Sequence, residues 1–182
     1  MAEKPSHSDA IQAMLDRLGI PVAYTESCGM AYQPDCMDLV ETEPDVFGRQ
    51  PYMDRTAHTA WLAMQKKAGE AGITLQIVSA FRSADYQCGL LQAKLDKGQH
   101  ISDILKVNAA PGFSEHHSGC ALDLTTPGYS PLEEDFENSP AFAWLTQHAS
   151  EFDFQLSFPR DNTAGICYEP WHWCYRKQIE KN

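Results

Sequence analysis

No stretch of the sequence approaches the ~20 apolar residues that a membrane-spanning helix requires, so no membrane span is expected. Positive charge is also scarce. Lys and Arg number 14 against 25 Asp and Glu, a formal net charge of −11 at pH 7. The basic residues are scattered, which argues against a nucleic-acid partner, because backbone binding needs clustered cations to displace counterions. No CxxC occurs among the six cysteines, so a cysteine-built zinc site is not expected. There is no low-complexity run, heptad or internal repeat. The start, Met1-Ala2-Glu3-Lys4-Pro5-Ser6, lacks the apolar core of a signal peptide. Either the protein acts in the cytoplasm or its leader is not part of this chain.

What is present describes an ordinary globular protein. At 182 residues, 43% hydrophobic and 10% aromatic, one structural domain with its own core is expected. Six cysteines allow fifteen disulfide pairings. Cys28 with Cys36 and Cys167 with Cys174 are close enough to pair across a turn. Free, buried thiols are the equal alternative.

Helix and strand signals alternate without a regular βαβ rhythm. Ser8 can cap a helix with Ile11, Met14, Leu15 and Leu18 on one face, stopped by Gly19. Residues 20–53 read as a loop-rich segment that wraps the core. Asp54 can cap a second helix, in which Ala57, Trp61, Met64 and Ala68 repeat at helical spacing up to Gly72. A strand is predicted over residues 73–80. Ser83 opens a third helix with Leu90, Leu91 and Leu95 as core candidates, and Ser102 a short one. Residues 120–124 read as a buried strand after a turn at Gly119. Ser139-Pro140 has the signature of an N-cap and first helical residue, followed by Phe142, Trp144, Leu145 and His148. Strands are predicted over residues 154–158 and 166–173. The expectation is α+β, a central antiparallel sheet with helices packed on it.

Chemistry concentrates in two segments. Ser114-Glu115-His116-His117-Ser118-Gly119-Cys120-Ala121-Leu122-Asp123 lies about fifty residues before Tyr168-Glu169-Pro170-Trp171-His172-Trp173. His116, Asp123 and His172 offer two imidazoles and a carboxylate, a donor set that suits Zn²⁺ and leaves a fourth position open. Asp123 inside an apolar strand is costly without a partner, which favours a metal. Glu169 is then free to act as a base. In an unbroken strand Glu169 and His172, three apart, would face opposite sides, so Pro170 must mark a bulge or a strand end. His117 is assigned to the surroundings of the ligands or the pocket, and a one-residue shift of the loop would exchange it with His116. His7, His58, His100 and His148 read as surface or satisfied core residues, and Asp85 and Glu115 as exposed carboxylates. Trp61, Trp144 and Trp173 read as core, and Glu133-Glu134-Asp135 as a solvated loop.

Taken together, Ser114-x-His116-x-x-Gly119-x-Ala121-x-Asp123 and Glu169-Pro170-Trp171-His172 resemble the zinc D-alanyl-D-alanine carboxypeptidases of the VanY type, in the LAS group of peptidoglycan metallopeptidases. Ser79-Ala80-Phe81-Arg82-Ser83, with Gln87, is similar to the family's substrate-side motif. The resemblance runs from about residue 54 to 176. It implies an LAS/hedgehog-like peptidase fold with the zinc on the antiparallel sheet. Residues 1–53 would form an N-terminal helix and wrapping segment, and 54–182 the carboxypeptidase core. His116, Asp123 and His172 would hold one Zn²⁺ per chain, and Glu169 and Arg82 would be catalytic. Arg82, Ser83, Gln87, Ser114 and Trp171 would bind substrate. The implied reaction is hydrolysis before the C-terminal D-alanine of peptidoglycan stem peptides or muropeptides. An L-alanyl-D-glutamate endopeptidase of the same family, or a non-catalytic cell-wall-binding module, is the alternative. A monomer in the periplasm or outside the cell is expected, with the cytoplasm as the other placement.

Overall fold

The computed structural model describes residues 9–176. Helix α1 (Asp9–Arg17) buries Ile11 and Leu15 on one face, and Gly19 ends the segment at a φ of 66°. Ser8, expected as its cap, lies outside the described residues, as does His7. The stretch read as a wrapping loop is more ordered than that. It holds a short helix, α2 (Val22–Ser27), and two three-residue strands, β1 (Leu39–Glu41) and β2 (Tyr52–Asp54), paired antiparallel. Strands this short offer too little alternation to be legible in a sequence.

Asp54 ends β2 and caps α3 (Arg55–Glu70), its carboxylate accepting the backbone N–H of Thr56 and Ala57. This helix buries Ala57, Trp61, Met64 and Ala68 as its spacing predicts. The strand expected over residues 73–80 is limited to β3 (Gln76–Ser79). Ser83 caps α4 (Ala84–Asp96) through the N–H of Tyr86. Leu91 is fully buried there, whereas Leu90 and Leu95 are only partly so. Helix α5 (Ile101–Ile104) starts one residue before Ser102 would allow it to cap, and His100 holds the N-cap position without a side-chain bond.

A 3₁₀ turn (Glu115–Ser118) leads through Gly119 into β4 (Ala121–Thr125). Gly119 has a φ of 70°, and a Cβ there would lie 2.7 Å from the backbone N of Asp54. Glycine is therefore demanded twice, by torsion and by space. The 3₁₀ helix over Glu134–Asn138 begins in the acidic run, whose carboxylates are exposed. Ser139 and Pro140 open α6 (Pro140–His148) as their motif predicts. Strands β5 (Phe154–Leu156) and β6 (His172–Tyr175) complete the sheet.

Four strands form an antiparallel sheet in the order β3-β4-β6-β5, an α+β arrangement as expected. The edge strand β3 is covered by the loop between β1 and β2, where Val46 donates to Ile77 O at 2.9 Å and Arg49 to Val78 O at 3.0 Å. Blocking an edge in this way removes a template for unwanted pairing. Leu122 and Leu124 join Trp61, Met64, Trp144 and Trp173 in the core beneath one face of the sheet. A second cluster gathers Ile11, Leu15, Leu91, Ile104 and Phe113 around α1, α4 and α5. By the two-residue alternation of a strand, Asp123 points away from the face that Leu122 and Leu124 bury.

The strand expected over residues 166–173 is corrected to a strand that begins only at His172. The reason is local. Pro170 has no N–H to give a ladder, and His172 N–H bonds Glu169 O at 3.1 Å, closing a turn before the strand starts. This is the strand end that placing Glu169 and His172 on one site requires. All six cysteines are free, so neither spacing-allowed pairing is formed. No helix among the described residues is long and apolar enough to cross a membrane.

Candidate metal centre

Strand register brings the two halves of the site together. Asp123 of β4 is the direct cross-strand partner of His172 of β6, and of Ser79 of β3 on its other side. Opposed residues on neighbouring strands lie close enough for their side chains to touch. His116 arrives from the 3₁₀ turn, its backbone O accepting the N–H of Arg82 at 3.2 Å. One donor atom from each of His116, Asp123 and His172 lies within 4.8 Å of the others, and all three residues are buried.

Hydrogen bonds decide which ring nitrogen faces inward. His116 Nδ1 is 2.6 Å from Ala80 O, a carbonyl that can only accept, so Nδ1 carries the proton and Nε2 presents a lone pair. That Nε2 is buried without a hydrogen-bond partner, 3.2 Å from Asp123 Oδ2. Burial, with the Arg82 charge, pushes the His116 imidazole down to about 4, so it is neutral near pH 7 and the contact is not an ion pair. Two lone pairs at that distance repel, and an orphaned buried acceptor costs ~1–3 kcal/mol. A divalent cation shared by both atoms removes the conflict, and two imidazoles with a carboxylate are zinc-type donors.

His172 lies between carboxylates, with Nδ1 3.1 Å from Asp123 Oδ1 and Nε2 3.0 Å from Glu115 Oε2. Burial alone would lower its pKa, but the bonds to Asp123 and Glu115 outweigh that and push it up to about 10. Burial likewise favours neutral Asp123, and the neighbouring imidazoles, of which only His172 is charged near pH 7, hold the carboxyl well below the usual range.

Glu115, expected to be an ordinary exposed carboxylate, is corrected here. Its side chain is 12% exposed and bonds His172 and Arg176. Burial raises its pKa, but His172 foremost, then Ser157 and Arg176, bring it down to about 2. By accepting from Nε2 it directs His172 Nδ1 toward Asp123. No local signal marks it, since its partner is 57 residues away. His117 is fully buried with both nitrogens engaged, Nδ1 on Arg82 O at 2.6 Å and Nε2 accepting from Gly112 N–H at 3.1 Å. It fastens the backbone that carries Arg82.

Glu169 lies just before β6, with Oε2 3.7 Å from His172 Nδ1. Burial pushes its carboxyl up to about 7, even though the His172 charge works against it. Arg82 Nη2 is 3.7 Å from Asp123 Oδ2, and its Nε is buried without a partner. Gln87, on the buried face of α4, donates to Ala109 O at 2.8 Å and leaves Oε1 unpartnered. With Ser114 and Asn108 these residues line a cavity of about 40 Å³ that reaches His116, Glu169 and His172. A wider cavity of about 430 Å³ shares Arg82, Asn108 and Glu169 with it and includes Trp171. Ser83 is not gathered with these. It caps α4 and lines a third cavity, of about 320 Å³, beside Arg49 and Gln50.

Residues 50–178 match the family model for VanY, D-alanyl-D-alanine carboxypeptidase. A D-alanyl-D-alanine carboxypeptidase of Enterococcus faecium is 32% identical over 127 residues, covering 68% of this chain and 37% of the relative. The chain spans about half the length, or less, of the curated relatives it matches. Among solved structures, the LD-carboxypeptidase LdcB superposes with a TM-score of 0.70 at 26% identity, covering 78% of this chain and 69% of that one. A vancomycin-resistance D,D-pentapeptidase VanY solved in complex with Zn(II) superposes at 0.60 with 22% identity, covering 82% and 87%, and shares the fold.

Proposed function

The chain belongs to the VanY family of D-alanyl-D-alanine carboxypeptidases, and on that premise we propose that it is a zinc peptidase removing the C-terminal D-alanine from peptidoglycan stem peptides. The observation that carries this reading is the buried, partnerless Nε2 of His116 facing Asp123 Oδ2 at 3.2 Å, with His172 on the same carboxylate. His116, Asp123 and His172 would hold the metal. When bound, zinc supplies a Lewis acid that polarises a carbonyl and makes water a stronger acid.

The remaining work falls to the chain's own side chains. Glu169, in no ion pair with an arginine or lysine among the described residues and pushed up to about 7 by burial, accepts a proton from the attacking water on its carboxylate and returns it to the leaving amine nitrogen. Such acid-base help is worth roughly 10²- to 10⁴-fold. Arg82 presents a planar fork of donors, and its unpartnered Nε offers one to the carbonyl oxygen as negative charge develops, or to the substrate's carboxylate. Gln87 and Ser114 orient the leaving residue, and Trp171 borders the acyl side.

Zinc analysis with a muropeptide digest tests the proposal, using wild type and Glu169→Gln. About one zinc per chain is expected in both proteins, with D-alanine released by wild type alone. Equal release by the variant would discard the base, and loss of zinc would make Glu169 a ligand.

A further inference from the structure

The wider cavity contains a cation with no stated use. Lys94 lies in the last turn of α4 and is partly buried. Its ammonium makes no hydrogen bond or ion pair among the described residues, and the charge that acts on it is that of Arg82, which with burial lowers its pKa. A partly buried ammonium that lines the same cavity as a guanidinium is better stabilised once an anion joins them. Two of the chain's own acids at this cavity are engaged elsewhere. Asp123 accepts from His172, and Glu134 is 3.7 Å from Arg160. Glu169 sits at the junction with the inner cavity.

Direction follows from the lining. With Gln87 and Ser114 of the inner cavity on the leaving residue, the acyl part of the peptide extends along the wider cavity of about 430 Å³, where Lys94 stands with Asp123, Glu169 and Trp171. The third cavity shares Arg82 but touches neither Glu169 nor Asp123. We propose that Lys94 is a specificity-determining residue that binds a carboxylate on the acyl side of the scissile bond. The enzyme would thereby prefer peptides in which that group is free over those in which it is amidated. The inference rests on the peptidase reading above.

The test uses two peptides ending in D-Ala-D-Ala that differ at the preceding residue, which bears either a side-chain carboxylate or its carboxamide. With zinc-loaded wild type, kcat/KM is expected to favour the carboxylate by about tenfold, mainly through KM, as suits a charge-assisted bond at a half-exposed site. Lys94→Met lowers the carboxylate peptide to the level of the carboxamide, and Lys94→Arg keeps part of the preference. Equal turnover of the pair by wild type, or a preference surviving in Lys94→Met, overturns the assignment. Calorimetric binding of both peptides to zinc-loaded Glu169→Gln separates this from the parent reading. A binding preference without turnover by wild type removes the peptidase and keeps the Lys94 site, whereas turnover without preference removes the Lys94 site alone.

Discussion

Replacing Glu115 by alanine removes the acceptor that sets the orientation of His172. In the intact protein Glu115 Oε2 takes the Nε2 proton at 3.0 Å, leaving Nδ1 directed at Asp123 Oδ1 at 3.1 Å. Without that carboxylate the ring loses a charge-assisted hydrogen bond, worth ~1.5–3 kcal/mol, and its orientation is no longer fixed. Removing outer partners of metal-binding histidines weakens metal affinity by roughly 10- to 100-fold. The expected result is a zinc dissociation constant raised within that range, read by competition against a chromogenic chelator. Glu115→Gln, whose amide oxygen can still accept from Nε2, should lose less. Arg176, whose side chain is 47% exposed, contributes through Glu115, and Arg176→Met should cost little because exposed pairs are screened. Unchanged zinc affinity in Glu115→Ala, with the fold intact by circular dichroism, would refute the reasoning.

Three further outcomes are expected. Glu169→Gln should retain zinc while D-alanine release falls roughly 10²- to 10⁴-fold, measured by amino-acid analysis of the digest. Gly119→Ala should destabilise by about 1–3 kcal/mol in denaturant titrations, because the new methyl meets the Asp54 backbone at 2.7 Å with φ at 70°. Asp45 supplies a pH dependence: burial would raise its pKa, but the backbone N–H and guanidinium of Arg49 and the N–H of Phe47 outweigh it and lower it. A depressed folded-state pKa contributes stability above the unfolded value of ~3.9 that is lost as pH falls through the folded value. Asp45→Asn should therefore melt below wild type near pH 7, with the gap closing under acid. A gap independent of pH would reject the ionised carboxylate as its source.

Local chemistry explains which elements were legible. Asp54, Ser83 and Ser139 announce their helices because a cap is a contact within three residues. Trp61 and Met64 announce their buried face because helical spacing repeats every turn. The strand predicted over residues 166–173 is too long because apolar and aromatic composition does not reveal the turn at Pro170. The pairing of β1 with β2 leaves no sequence signal because each strand has only three residues.

For the site, residue types and motif spacing were enough to nominate His116, Asp123, His172 and Glu169, since so few side chains can serve a metal or act as a base. Tertiary structure alone decided that Glu115 is a partner of His172 across 57 residues, and that His117 has both nitrogens occupied. It also decided that Lys94 faces the cleft. The physical reason is that caps and periodicity are short-range, whereas tautomers, burial and cleft-facing charge depend on how β3, β4 and β6 bring distant segments into register.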